Sequence, residues 1–206
     1  MIVIVDYGMG NLGSIINMLK KVRAEAIISS KAADIERASK IILPGVGAFD
    51  AGMQNLEERG LISVLNSKVL KDKTPILGVC LGMQLFTQRS EEGHLQGLGW
   101  FDAETVRFNF KSEQSHLKIP HMGWNSIRVA QPNPIWEYGT AENPWFYFVH
   151  SYHVVCRNDN NVLATSSNGY AFSAAIIKEN IIGTQFHPEK SHKYGMTLMK
   201  NFVENT

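Results

Sequence analysis

The sequence has little cysteine, almost no net charge and no long apolar run, and each of these excludes something. Cys80 and Cys156 are the only cysteines among 206 residues, so a disulfide framework is excluded and a reducing compartment, the cytoplasm, is expected. The formal net charge is +1 and no long Lys/Arg run occurs, so neither a nucleic acid nor a membrane surface is expected as a partner. The opening apolar run, 1–5, is followed at once by Asp6 and glycines, which is too short for a signal peptide or a membrane span. Neither H-E-x-x-H nor a C-x-x-C pair is present. His150 and His153 stand three apart on an expected strand and would point to opposite faces, so no metal site is expected. His94 and His116 lie in loop-like sequence. Without repeats, low-complexity tracts or a linker, residues 1–206 are expected to form a single domain.

What is present is globular in texture, with 44% apolar and 19% charged residues, enough chain to bury roughly 70% of its unfolded surface. The most informative stretch is Pro75-Ile76-Leu77-Gly78-Val79-Cys80-Leu81-Gly82-Met83-Gln84. It reads as a strand, a sharp turn and a helix running to Gln88. A cysteine at such an elbow has its sulfur exposed on strained backbone and meets the positive end of the following helix, which favours the nucleophilic thiolate. Gly78 and Gly82 permit the close approach that the elbow needs.

The first half alternates strands with helices. A strand at 2–5 leads into glycine-rich residues 6–13 and a helix with Ile15, Ile16, Leu19 and Val22 at helical spacing. Gly8, Gly10 and Gly13 fit G-x-G-x-x-G, but the second strand, near 26–28, ends in Ser29 and Ser30 without the acidic residue a dinucleotide's ribose requires. The loop is therefore read as a turn at the carboxyl edge of a parallel sheet. After a short helix at 32–38, a third strand at 40–43 runs into Pro44-Gly45-Val46-Gly47-Ala48-Phe49. A Gly-x-Gly there can aim backbone N–H groups into a shared crevice as an oxyanion hole, or can be a plain strand-to-helix connection. Helices at 51–58 and 61–70 return the chain to the Cys80 strand. The fold class is α/β: a mostly parallel central sheet flanked by helices, with its site at the strands' carboxyl ends.

From about residue 99 to 186 aromatic and β-branched residues broken by polar turns predict additional strands in the C-terminal half, at 105–108, 126–129, 145–149, 162–166, 173–177 and 181–186. A helix at 194–203 with Met196, Met199 and Phe202 on one face closes the chain. Near the end stands Gln185-Phe186-His187-Pro188-Glu189-Lys190-Ser191. In extended backbone residues two apart share a face, so His187 and Glu189 can lie side by side. A thiol nucleophile needs a base, and the base needs a carboxylate to orient it; Cys80, His187 and Glu189 supply the three roles. Cys156, on an apolar strand without glycines, is expected to be inert.

Together these motifs resemble the class I, triad-type glutamine amidotransferases: Gly78-Val79-Cys80-Leu81-Gly82-Met83-Gln84 looks like their nucleophile motif and His187-Pro188-Glu189 like the rest of the triad. Within that class, Asp6-Tyr7-Gly8-Met9-Gly10-Asn11-Leu12, Pro44 to Phe49, Pro120-His121-Met122-Gly123-Trp124-Asn125, Tyr147-Phe148-Val149-His150-Ser151-Tyr152 and His187-Pro188-Glu189-Lys190-Ser191 are similar to the glutaminase subunits of imidazole glycerol phosphate synthases. The resemblance implies a flavodoxin-like core and hydrolysis of L-glutamine to glutamate and ammonia, with no cofactor. By similarity the backbones of Gly45, Val46, Gly47 and Leu81 would hold the oxyanion. Gln84, Glu92, Ser151 and Tyr152 would grip the glutamine head group. Asn11, His121, Trp124, Asn125 and Lys190 would lie at or near the interface with a (β/α)8-barrel cyclase, the heterodimer partner that receives the ammonia. Activity alone is expected to be low until docking turns the N–H groups of residues 45–47 toward the site.

The segment Leu85-Phe86-Thr87-Gln88-Arg89 departs from the family's more apolar run ending in an acidic residue. It leaves room for a paralogue that feeds ammonia to sugar amidation in surface-polysaccharide synthesis. A standalone γ-glutamyl hydrolase would share the triad without needing residues 120–125. A domain that had lost turnover would not need an intact Cys80, His187 and Glu189.

Overall fold

The computed structural model describes residues 1–112, 117–136 and 144–206; the expectation for His116 lies outside the described residues. The chain begins β1 (Ile2–Val5), α1 (Leu12–Lys21), β2 (Ala26–Ser29), α2 (Ala32–Glu36), β3 (Lys40–Gly45), α3 (Phe49–Glu58), α4 (Leu61–Asn66), β4 (Ile76–Cys80) and α5 (Leu81–Gln84). It continues through β5 (Arg89–Ser90), β6 (Ala103–Arg107), β7 (His121–Ser126), β8 (Arg128–Val129), β9 (Trp145–His150), β10 (Tyr152–Cys156), β11 (Val162–Asn168), β12 (Tyr170–Lys178) and β13 (Ile181–Thr184), and ends in α6 (His192–Asn205).

Strands β2-β1-β3-β4-β13 stand side by side in parallel. The sheet then continues antiparallel through β12, β10 and β6, while β7 and β9 form a separate two-stranded ribbon. Both faces of the parallel part are covered, which explains why its strands read as continuous apolar runs. Ile2 and Ile4 of β1 pack on one side with Leu19 of α1 and Phe202 of α6. Val3 and Val5 pack on the other with Leu56 of α3 and Leu65 of α4. This is the α/β sheet expected, with the antiparallel strands where the sequence texture changes.

Several boundaries differ from the sequence reading. The helix after Cys80 ends at Gln84 and not at Gln88: the amides of Phe86 and Thr87 bond back three residues to the Met83 and Gln84 carbonyls, and the Thr87 hydroxyl donates to the Gln84 carbonyl as well. The unbroken burial of 81–86 leaves no polar face in the sequence to mark the stop. The helix expected over 61–70 is α-helical only to Asn66 and finishes as a wider turn, Ser67–Lys71. The strand expected at 126–129 is divided between β7 and β8, and β7 starts at His121, where only a motif had been visible. His150 and His153 do not share a strand: Ser151 separates β9 from β10.

Candidate active site

The parallel register decides which groups meet at the sheet's carboxyl edge. Gly45 of β3 lies opposite Cys80 of β4, and on the other side Thr184 of β13 lies opposite Val79. The end of β4 is therefore flanked by the turn at 45–47 and by Gln185, Phe186 and His187. Open α/β sheets place ligands at such an edge.

Cys80 joins β4 to α5 with φ 53° and ψ −107°, a left-handed conformation that costs a non-glycine residue about 1–3 kcal/mol and gathers at functional sites. Gly82 is what lets the elbow pack, since a Cβ there would run into the carbonyl oxygen of Leu43. α5 is a single turn, so its dipole is weaker than the longer expected helix would supply. Side chains contribute the rest of the thiol's surroundings.

His187 is 1% exposed and its Nδ1 lies 2.8 Å from Glu189 Oε1. The two meet through a 3-10 turn, Pro188–Lys190, and not through extended backbone as the spacing had suggested. Nε2 of His187 is buried and has no hydrogen bond of ordinary geometry among the described residues. Its electrostatic partner is Cys80. Burial alone would lower the imidazole's pKa, but Cys80 and Glu189 together raise it from 6.5 to about 10. The ring is thus held as an imidazolium at neutral pH, the state that gives a proton to a leaving group. Ser191 braces the turn: its hydroxyl donates to the His187 carbonyl at 2.6 Å and accepts from the Tyr147 amide, while the His187 amide donates to the Tyr147 carbonyl.

A cavity of about 380 Å³ opens over Cys80, lined by Val46, Gly47, Leu81, Gln84, Glu92, Pro120 and residues 149–152. That is the small end of the range for ligand sites, suited to an amino acid. Gln84, 5% exposed, donates through Nε2 to the Tyr152 carbonyl and to Gln185 Oε1, each at 3.1 Å. Glu92 reaches the cavity from a loop pinned to the start of α3. Its Oε2 accepts from the Phe49 amide at 2.9 Å, while Asp50 accepts from the amides of His94 and Leu95, which hold its carboxyl below the usual range. The turn at 45–47 is held from below by the Tyr7 hydroxyl, which donates to the Pro44 carbonyl at 2.6 Å. Gly47 has φ +121°, a backbone conformation that is strained for any residue with a side chain.

Of the residues matched to a partner interface, Trp124 is 43% exposed and stacks on His192 with ring planes 8° apart at 5.4 Å. Lys190 is exposed, its Nζ 5.6 Å from the Tyr147 ring centroid. Asn11 is exposed and caps α1, its Oδ1 accepting from Ser14. His121 and Asn125 have side chains turned inward instead. His121 is 8% exposed and shares a 3.0 Å hydrogen bond with His150, and Asn125 bonds His121 and the Ser167 carbonyl. Cys156 is half-buried and burial pushes its thiol up to about 12, consistent with an inert role. His94 is exposed.

Sequence reasoning missed Tyr7, Gln185 and Ser191. For Gln185 a signal was available, because the period of two that linked His187 to Glu189 also links Gln185 to His187.

The glutamine amidotransferase class-I family matches residues 3–206. A protein of Methanococcus maripaludis named imidazole glycerol phosphate synthase subunit HisH 2 is 53% identical over 99% of both chains. One of the same name from Pseudomonas aeruginosa is 51% identical over 99% of both. The subunit HisH of Leptospira interrogans is 44% identical over 98% of this chain and 99% of that one. Among solved structures, a glutamine amidotransferase superposes with TM-score 0.72 at 18% identity, covering 98% of this chain and 97% of the other. PurLQS of Thermotoga maritima gives 0.70 at 19% identity, over 98% and 96%. These distant structures share the fold. The family match over 3–206 and the identities of the relatives mean that the chain belongs to the class I glutamine amidotransferases, among the glutaminase subunits of imidazole glycerol phosphate synthase.

Proposed function

We propose that Cys80, His187 and Glu189 hydrolyse L-glutamine and that the ammonia passes to a docked (β/α)8-barrel cyclase making imidazole glycerol phosphate in histidine biosynthesis. The observation that carries this is the buried His187–Glu189 pair beside a strained Cys80 at the mouth of an amino-acid-sized cavity. Cys80 Sγ bonds to the side-chain amide carbon, and as the C–N bond breaks the His187 imidazolium gives its proton to the departing ammonia. His187, now neutral, takes a proton from water as its oxygen attacks the thioester. The S–C bond breaks, glutamate leaves, and the thiolate–imidazolium pair is restored. Val46, Gly47 and Leu81 border the position where the oxyanion develops, and Gln84, Glu92, Ser151 and Tyr152 border the head group.

A docking face adjoins the cavity. On the ribbon's outer side Met122 pairs with Val149, Trp124 with Tyr147 and Ser126 with Trp145. Met122 is 63% and Trp145 48% exposed. An aromatic-rich patch of this kind marks a protein interface, and Val149 belongs both to it and to the cavity wall. Ammonia needs such shelter, since in water it is mostly protonated and unreactive. A single domain is supported by the family match over 3–206, and a reducing cytoplasm by two free thiols. Among the described residues no helix is long and apolar enough to cross a membrane.

Glutamate release by the purified chain, alone and with the barrel cyclase of the same organism and its nucleotide substrate, tests the proposal, with Cys80→Ala as blank. Strong stimulation is expected; none would move the reading to sugar amidation in a surface-polysaccharide pathway. That second reading draws on Leu85-Phe86-Thr87-Gln88-Arg89, the segment after the nucleophile motif where the sequence departs from the family's more apolar run. A full rate without any partner would instead indicate a standalone hydrolase.

A further inference from the structure

Gln185 is wholly buried one residue past the end of β13, whose last register pair sets Thr184 opposite Val79, the residue before Cys80. A buried amide is costly unless its groups are paired, and an apolar residue would fill the same space at less cost. The amide's pairing is unusual. Its Oε1 accepts from Gln84 Nε2 at 3.1 Å, and its Nε2 donates to Cys80 Sγ at 3.7 Å. A neutral thiol is a weak acceptor, so this N–H gains little from it. A thiolate is a charged acceptor, for which a hydrogen bond is roughly twice as strong. The contact therefore strengthens as the nucleophile ionises.

Gln84 cannot readily rotate to release this arrangement, because it is fixed from its other side. The Tyr152 carbonyl, a pure acceptor, takes N–H bonds from Gln84 Nε2 and from His150 Nδ1 at 2.8 Å. With Nδ1 of His150 donating, its Nε2 must accept in the neutral ring, so Nδ1 of His121 donates to it at 3.0 Å. His121 Nε2 then accepts from Asn125 Nδ2 at 3.3 Å. Every member of this partly buried chain has one role, and the last donor points at the sulfur.

We propose that Gln185 is a positioning residue that holds the Cys80 sulfur in its attacking orientation through an N–H donor fixed by Gln84. This rests on Cys80 being the nucleophile, a premise that glutamate release by Cys80→Ala tests separately.

The test is the pH dependence of Cys80 alkylation by iodoacetamide in the full-length chain, which needs no turnover, together with kcat and KM for glutamine in the cyclase complex. Gln185→Met keeps the volume and removes the donor; Gln185→Glu keeps the shape and replaces the donor by an acceptor. In the Met variant the alkylation midpoint should move to higher pH, and kcat should fall about tenfold or more with KM changed less than about threefold. The Glu variant should be worse in both. Unaltered alkylation profiles with kcat within about twofold of the parent would overturn the proposal. So would failure of both variants and of Gln185→Asn to fold, which would make the residue structural.

Discussion

His187 Nδ1 lies 2.8 Å from Glu189 Oε1, with the two side chains only 1% and 2% exposed. A carboxylate so buried is retained for what it does to its neighbour. It fixes the imidazole tautomer and, with Cys80, holds the ring protonated far above its ordinary range. Glu189→Gln keeps the shape and removes the charge. We predict a loss of roughly 10²- to 10⁴-fold in kcat/KM. The alkaline limb of the pH profile should also move down from near pH 10, because burial then opposes the charged ring with one helper fewer. Because the folded pKa of His187 is raised, its contribution to stability is present below pH 6.5 and is lost as pH climbs toward about 10.

The other buried histidines behave oppositely. Burial pushes His150 down to about 3 and His121 to about 4, and lowers His153 as well. In the unfolded chain these rings take up protons near pH 6.5 while the folded chain refuses them, so stability falls as pH drops below 6.5. The slope should approach about 1.4 kcal/mol per pH unit for each histidine. Urea midpoints measured between about pH 7 and pH 5 should decrease; a flat series would contradict the assignment of neutral, hydrogen-bonded rings.

Trp124→Ala should leave thermal stability nearly unchanged, since the ring is half exposed. It should weaken binding of the cyclase by about 2 kcal/mol or more, as expected for an aromatic anchor at an interface. Titration calorimetry of the two subunits checks this.

Gly82→Ala would force a Cβ onto the Leu43 carbonyl oxygen, which is backbone and cannot swing aside. We predict a destabilisation of about 1–3 kcal/mol, with activity lost disproportionately because β3 carries the turn at 45–47. Thermal melts and glutamate release separate the two effects.

Much of this was legible in the sequence because the chemistry sits at punctuation. The glycines around Cys80 and the Pro188 after His187 mark strand ends, and in a parallel sheet strand ends converge. The first strand of the two-stranded ribbon was not legible as a strand. His121–Ser126 carries Gly123 at φ +128° and inverts the usual pattern, with apolar Met122 and Trp124 outward and polar His121 and Asn125 inward, so it does not read as a strand with an apolar face on the core. α5 was overextended because Leu85 and Phe86 continue the apolar run into a turn buried on all sides. The inward face of His150 was hidden for a different reason: its partner His121 lies 29 residues away, and only the β7–β9 register brings the two rings together.

In the proposed reaction Cys80 becomes covalently acylated during turnover. Acid-quenched samples of the cyclase complex turning over glutamine should show, by peptide-mapped mass spectrometry, a γ-glutamyl adduct on the peptide bearing Cys80 and none on that bearing Cys156. The adduct should disappear in Cys80→Ala together with glutamate release. Undiminished release by Cys80→Ala, or an adduct confined to Cys156, would contradict the account.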